Sequence, residues 1–462
     1  MPSATTTEGT RVQFATLAAV TVLTGIVSSL GAPLVPTVAR EQDVSLATAQ
    51  WMLTATLLAG AVVTPVLGRL ATGRLRRPVL LAGLVAVLCG ALLTALPLGI
   101  GTMIAGRTLQ GVGMALAPLA FAVARDLWSG QELLAKLAAL SVASVSSAGL
   151  GYPASALVAE HFGIGGAYVF GSILIGATTL LAFRHLPASR DGEPQPIDVV
   201  GALLLCTGTL GFLLAVSQGE RWGWAELPTL ATGLGGVVLL VAWIRWSIIA
   251  PRRGRPVLVD LHLAVRPGVR APNLVTVAVG VSLYGLFTLV VVLVQADGSH
   301  GFGLHAGLAA SGLVLVPYAI AGIVSNRIAL LAARRIGTRP LLPAGCLVFG
   351  TALVMLTCWH DTLGQALLAM AVGGLGGGLT FSSMAILIVP NVDTAETGSA
   401  MAFNQLLRYL GFSVGSALAV ALLQVYGGDA AAFRATGLTM AAICVVAGAL
   451  ASLDRGATAR AT

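Results

Sequence analysis

Long apolar runs, broken by short polar stretches that carry most of the arginines, set the plan of this chain. Cut at about 20 residues per bilayer crossing, it yields fourteen apolar segments, beginning near Val12, Leu46, Pro78, Thr102, Leu133, Gly165, Val199, Leu227, Ala271, His305, Pro340, Leu363, Ser399 and Ala431. Each is predicted to be a helix, because a chain inside hydrocarbon must satisfy its backbone hydrogen bonds within itself. The first runs from Val12 to Ala39 and, with further spans behind it, reads as an uncleaved first helix rather than a signal peptide.

The cut sorts the basic residues. Arg69, Arg74, Arg76, Arg77, Arg125, Lys136, Arg184, Arg190, Arg252, Arg253, Arg255, Arg266, Arg270, Arg334, Arg335 and Arg339 fall on one side, and Arg40, Arg221 and Arg434 on the other. The positive-inside rule then places both termini in the cytoplasm, as an even number of spans requires. Polar breaks at 187–197 and 249–273 divide the chain into a six-helix half (residues 1–190), an inserted helix pair (191–250), a cytoplasmic linker (251–270) and a second six-helix half (271–462). GRLRRPVLLAG at Gly73–Gly83 resembles RIGTRPLLPAG at Arg335–Gly345, and each follows the second span of its half, as duplication requires.

Composition agrees. A chain of 462 residues that is 56% hydrophobic and 10% charged is an all-α polytopic membrane protein. The net charge of +8 sits in inter-span clusters rather than along one face, so it points to membrane orientation and not to nucleic acid. The 5 cysteines lie in apolar segments without metal spacing and are expected to be free, buried thiols; no metal or cofactor is expected. There is no GxxxxGK[ST] and no cluster of catalytic carboxylates, which excludes an ATP-driven pump and an enzyme.

Within this apolar background a few polar residues stand out. Arg107 lies inside the fourth span with Gln110 three residues on, while Gly111 and Gly113 offer a smooth surface to a neighbouring helix. A buried guanidinium is expensive, so Arg107 is expected to face a cavity or a partner. In the thirteenth span Asn404, Arg408, Gly411 and Gly415 share one face, which is expected to meet the cavity or the other half. AGLGYPASA places Gly149, Gly151 and Pro153 in the fifth span, where proline removes a backbone bond and bends the helix. Tyr152, Tyr284, Phe287, Tyr318, Phe381 and Tyr409 are candidates to line a pocket for a flat apolar compound. Gly373 to Gly378 read as helix packing.

Taken together these motifs resemble the major facilitator superfamily, in particular its fourteen-helix drug:proton antiporter branch. Arg107, Gln110, Gly111 and Gly113 match the RxxQGxG motif of its fourth helix, and Gly149, Gly151 and Pro153 resemble its antiporter motif of the fifth. Gln50, Trp51, Trp222, Gly223, Trp224 and NQLLRYLGFSVGSA are similar to further features of that branch. The loop after the second helix usually reads GxLADRxGRR. Here Gly68, Leu70, Ala71, Arg76 and Arg77 fit, but Thr72 stands where the aspartate belongs and Leu75 where the second glycine belongs. The resemblance implies the major facilitator fold and a monomeric cell-membrane exporter of drug-like or amphipathic molecules, with protons as the counter-substrate. A composition nearly free of lysine points to a bacterial inner membrane.

Proton coupling needs a group that changes protonation during the cycle. GIVSSLGAPLVP in the first helix carries no acid, and all 18 carboxylates fall at loops or helix ends. The boundary residues Glu41, Asp43, Asp126 and Glu160 remain, and Arg107 is expected to act on one of these or on substrate, with Asp126 at the inner end of its helix. A metabolite carrier that is uncoupled or differently coupled is the alternative.

Overall fold

The computed structural model describes residues 4–29, 35–44, 46–188, 196–296, 301–306, 308–338, 340–393 and 396–453. Among them every regular element is a helix. In chain order these are α1 (Ala4–Ser29), α2 (Val35–Glu41), α3 (Leu46–Leu70), α4 (Arg76–Ala95), α5 (Ile100–Gly111), α6 (Leu116–Leu127), α7 (Gly130–His185), α8 (Val199–Trp222) and α9 (Leu227–Ile249). There follow α10 (Leu261–Ala264), α11 (Arg270–Gln295), α12 (Leu308–Leu313), α13 (Leu315–Ile336), α14 (Leu341–Cys358), α15 (Leu363–Ile388), α16 (Thr397–Val425) and α17 (Ala430–Leu453). Thirteen stretches among the described residues are long and apolar enough to cross a membrane. The part of α7 ahead of Gly163 corresponds to the remaining predicted segment.

The predicted starts hold to within a few residues for most spans, and the departures have local causes. The first segment is two helices, with Pro36 in the opening turn of α2, where a missing N–H costs little. The tenth divides into α12 and α13 because Pro317 has no N–H to bond the carbonyl of Leu313. The fourth span changes register through a 3-10 turn at Val112–Ala115, and Pro118 likewise leaves the Met114 carbonyl without its helical donor. In α7 the one non-helical backbone is at Gly163, with φ 69° and ψ −179°, a conformation only glycine adopts freely. The fifth and sixth spans meet there. The bend expected at Pro153 falls on side chains outside the described residues.

Two compact units are formed. The first comprises Met1–Leu210, Gly236–Asp260 and Asp393–Phe403, and the second Gly211–Gly235, Leu261–Val392 and Asn404–Thr462. In the first, Gly90 of α4 and Gly106 of α5 let the helices meet backbone to backbone, and a Cβ on Gly111 would overlap the Thr56 carbonyl oxygen of α3. In the second, Gly374 and Gly378 of α15 pack on the Tyr318 and Gly322 backbone of α13, and Gly411 of α16 on Gly280 of α11. The repeated motif occupies equivalent places: Gly83 packs on Leu116 of the next span and Gly345 on Thr380 of the next span.

All 5 cysteines are free, as expected, but Cys89 and Cys358 are exposed rather than buried. An apolar position in a membrane chain faces lipid as readily as protein, so apolar context alone does not bury a thiol.

Candidate functional site

Arg107 is fully buried, its carbonyl engaged by α3 and its side chain by Gln110 of its own helix. Its Nη1 donates to Gln110 Oε1 at 2.7 Å; Gln110 Nε2 donates to Thr94 Oγ1 at 3.0 Å, and the Thr94 hydroxyl donates to Gly90 O at 2.7 Å. Thr56 Oγ1 lies 3.0 Å from Arg107 O and 2.7 Å from Met52 O. Helical spacing explains the clamp, since residues three apart share a face. Arg107 Nε and Nη2 have no partner among the described residues, and neither does the buried hydroxyl of nearby Tyr168.

Asp126 does not serve Arg107. It pairs with Arg76, whose Nε donates to Ala71 O at 3.3 Å and whose Nη1 also reaches Ala122 O at 3.4 Å. The sequence expectation that Asp126 stands ready for Arg107 is corrected here: it lies sixteen residues beyond Gln110 at the far end of α6, where Arg76 enters from α4. Arg77 donates to Phe183 O at 2.9 Å. Arg76, Arg77, Asp126, Val123, Leu127, Pro187 and Ala188 line a cavity of about 160 Å³. Glu41 and Asp43 are exposed, and the side chains of Glu160 and Pro153 lie outside the described residues.

Thr72, in place of the motif's aspartate, caps locally by donating to Arg69 O at 3.2 Å. Charge pairing is supplied from the opening of α16 instead. Arg69 Nη1 donates to both carboxylate oxygens of Glu396 at 2.9 and 3.1 Å, and Arg125 Nη1 to Thr397 Oγ1 at 2.5 Å. Gly68 makes room: a Cβ there would meet Gly398 O at 3.1 Å.

In the second unit, Asn404 Nδ2 donates to Asn273 Oδ1 at 3.0 Å and Thr276 Oγ1 at 2.7 Å. Together with Gly411 and Gly415, which abut the α11 backbone, it makes the shared face of α16 a helix-packing seam rather than a cavity wall. Arg408, on that face but beside α15, lies with its guanidinium 4.4 Å from the Phe381 ring centroid. Of the expected aromatics, Tyr284, Phe287, Tyr318, Phe381 and Tyr409 belong to this unit, while the side chain of Tyr152 lies outside the described residues. Phe287 meets Tyr318 edge-on at 5.1 Å, and Tyr284 stacks at 4.3 Å on Phe412, a residue that the sequence does not single out.

Three further residues escape a reading of spacing. Glu396 looks like a loop acid. Asp198 looks like another, yet is buried and accepts from Gly201 N at 2.8 Å, Trp246 Nε1 at 3.0 Å and Leu258 N at 3.3 Å, tying α8, α9 and the following segment together. Arg327 interrupts the apolar α13 and is exposed; its position inside a predicted span was signal enough to find it.

A bundle of membrane-crossing helices with buried arginines inside its spans defines a multi-pass membrane protein. The chain belongs to the Major Facilitator Superfamily, whose sequence profile matches residues 17–334 and 274–460. It is 27% identical over 415 residues to a probable actinorhodin transporter of Streptomyces coelicolor, covering 86% of this chain and 69% of that one. It is 28% identical over 396 residues to a triacylglyceride transporter of Mycolicibacterium hassiacum (81% and 71%), and 24% over 394 residues to the multidrug transporter MdtP of Bacillus subtilis (82% and 69%). The fold is similar to that of the human organic anion transporter MFSD10, with a TM-score of 0.68 at 14% identity over 96% of this chain and 99% of that one.

Proposed function

We propose that this chain exports amphipathic, drug-like molecules across the bacterial cell membrane by alternating access, in exchange for protons, as a monomer with both termini cytoplasmic. Its sequence likeness to relatives named for actinorhodin, triacylglyceride and multidrug transport carries the reading. The Arg69–Glu396 and Arg76–Asp126 pairs supply carboxylates that a proton would release from their arginines. Inverted membrane vesicles test the reading: imposing a proton gradient should drive uptake of a panel of lipophilic dyes, and a protonophore should abolish it. Uptake that survives the protonophore would leave an exporter without proton coupling; absence of uptake across the panel would defeat the drug-export reading. A carrier coupled in another way is favoured by one observation. Among the described residues no carboxylate lies in the middle of a span.

A further inference from the structure

Among the described residues four arginines are buried, and their pairing differs sharply. Arg69 and Arg76, at helix ends, each hold a carboxylate, whereas Arg107 and Arg408, inside spans, have no carboxylate within ion-pair distance among the described residues. A guanidinium in an apolar interior demands a counter-charge or a full set of acceptors. Arg107 has the Gln110 clamp. Arg408 has a ring. Phe381 covers one face of its guanidinium, a contact that does not engage the in-plane N–H donors, and Nε is buried without a partner among the described residues.

What surrounds Arg408 is aromatic and under-bonded. Tyr409 and Tyr318 both act electrostatically on Arg408, and Tyr318 is fully buried with a hydroxyl that meets no partner among the described residues. Phe287 leans edge-on against Tyr318, and the stacked pair of Tyr284 and Phe412 continues the surface through Phe287 at 5.9 Å. Phe381 and Tyr318 are buried, while Tyr284, Phe287 and Phe412 keep part of their surface open. Donors without acceptors lie at one end and ring faces with free area at the other.

From this geometry we infer an anion-recognising subsite in the second unit: Arg408 and the Tyr318 hydroxyl receive the carboxylate or phenolate of a flat aromatic substrate, and Phe287, Tyr284 and Phe412 hold its body. The inference rests on the exporter reading above and narrows it. Lipophilic cations, which need a carboxylate or an open ring face, are disfavoured by an uncompensated guanidinium in the same place.

Three isosteric probes that differ in charge test the subsite: 2-naphthoate, 2-naphthamide and 2-naphthylmethylammonium, titrated into the purified full chain in lipid nanodiscs. The carboxylate should bind about tenfold more tightly than the amide, with the ammonium weakest. Arg408→Gln should bring carboxylate and amide to within about twofold of each other, chiefly by weakening the carboxylate, and Arg408→Lys should keep most of the preference. Tyr318→Phe, which removes only the hydroxyl, should cut the preference about threefold and serves where Arg408→Gln does not fold. No binding of 2-naphthoate by folded wild type, no preference for it over the other two, or a preference that Arg408→Gln leaves intact would overturn the subsite. Vesicle uptake of the same probes separates the two readings. Equal uptake of all three that Arg408→Gln does not change defeats the subsite alone; charge-selective binding without uptake defeats the exporter alone.

Discussion

Replacing Glu396 by glutamine exchanges one carboxylate oxygen for an NH2 group and removes one charge from the link between the end of α3 and the start of α16. The Arg69 side chain is 9% exposed and that of Glu396 19%, so solvent screens the pair weakly. Both carboxylate oxygens accept from a single Nη1, at 2.9 and 3.1 Å. A hydrogen bond to a charged group contributes about 1.5–3 kcal/mol, and the amide keeps one acceptor while turning an N–H toward the guanidinium. A loss of about 2 kcal/mol follows, roughly a 30-fold change in the equilibrium it governs. The coupling is isolated by a double-mutant cycle with Arg69→Gln, read by denaturant-driven unfolding in mixed micelles at fixed lipid composition. The double variant should be more stable than the sum of the single losses by about 1.5 kcal/mol, because each single change strands a partner. Losses that add to within about 0.5 kcal/mol would show that the two groups do not depend on each other, and the account of α16 as the source of the missing counter-charge would fail.

Gly111→Val should lower folded yield by overpacking the α3–α5 crossing, a cost of about 1–3 kcal/mol, whereas Gly101→Ala, facing open space, should be silent; fluorescence-detected size exclusion reads both. Asp198→Ala orphans three donors at once and should destabilise by about 2–4 kcal/mol, first seen as faster proteolysis after Ala250. His360, between α14 and α15, titrates below its ordinary value, chiefly because it is buried against Phe433 and further because of Arg434, with Asp361 opposing. Its folded state therefore binds the proton less readily than the unfolded chain. The stability tied to its neutral form is complete above about pH 6.5 and is lost as pH falls through the lower folded value. His360→Gln should flatten the acid side of a thermal-midpoint profile, and an unchanged profile would refute the assignment.

How much of this was legible in the sequence depends on what each signal is made of. Span positions follow from hydrophobicity summed over twenty or so residues, so local irregularities such as Val112–Ala115 do not disturb them. Clamps within one helix are legible too, because Arg107 and Gln110 are neighbours by helical geometry. Pairings between distant segments are not. Nothing in the spacing says that Asp126 belongs to Arg76, or that an acid 327 residues from Arg69 completes its ion pair. The face of α16 carrying Asn404 and Gly411 is expected from sequence to meet the cavity or the other half, because polar and small residues mark cavities and close helix seams alike. Only the position of α11 decides between them.

The unused donors of Arg107 bear on whether it is structural or functional. A purely structural arginine ends with its N–H groups satisfied, since unsatisfied buried donors cost about 1–3 kcal/mol each. Arg107 spends Nη1 on Gln110 and leaves Nε and Nη2 without partners among the described residues. Arg107→Gln should therefore fold at least as well as wild type: it removes an unpaired buried charge and can still bond Gln110. Transport should nevertheless fall by more than about tenfold if the guanidinium's charge serves a step of the cycle. Gln110→Leu works the other way. It strands the charge, while the Thr94 hydroxyl loses a donor but keeps its bond to Gly90 O, so stability should fall by about 1.5–3 kcal/mol. Measured on the same preparations, unfolding midpoint and initial uptake should thus move independently. If Arg107→Gln transports at the wild-type rate, the residue is packing; if it loses folded yield and uptake in proportion, the guanidinium is a structural group whose remaining donors are satisfied in the native protein.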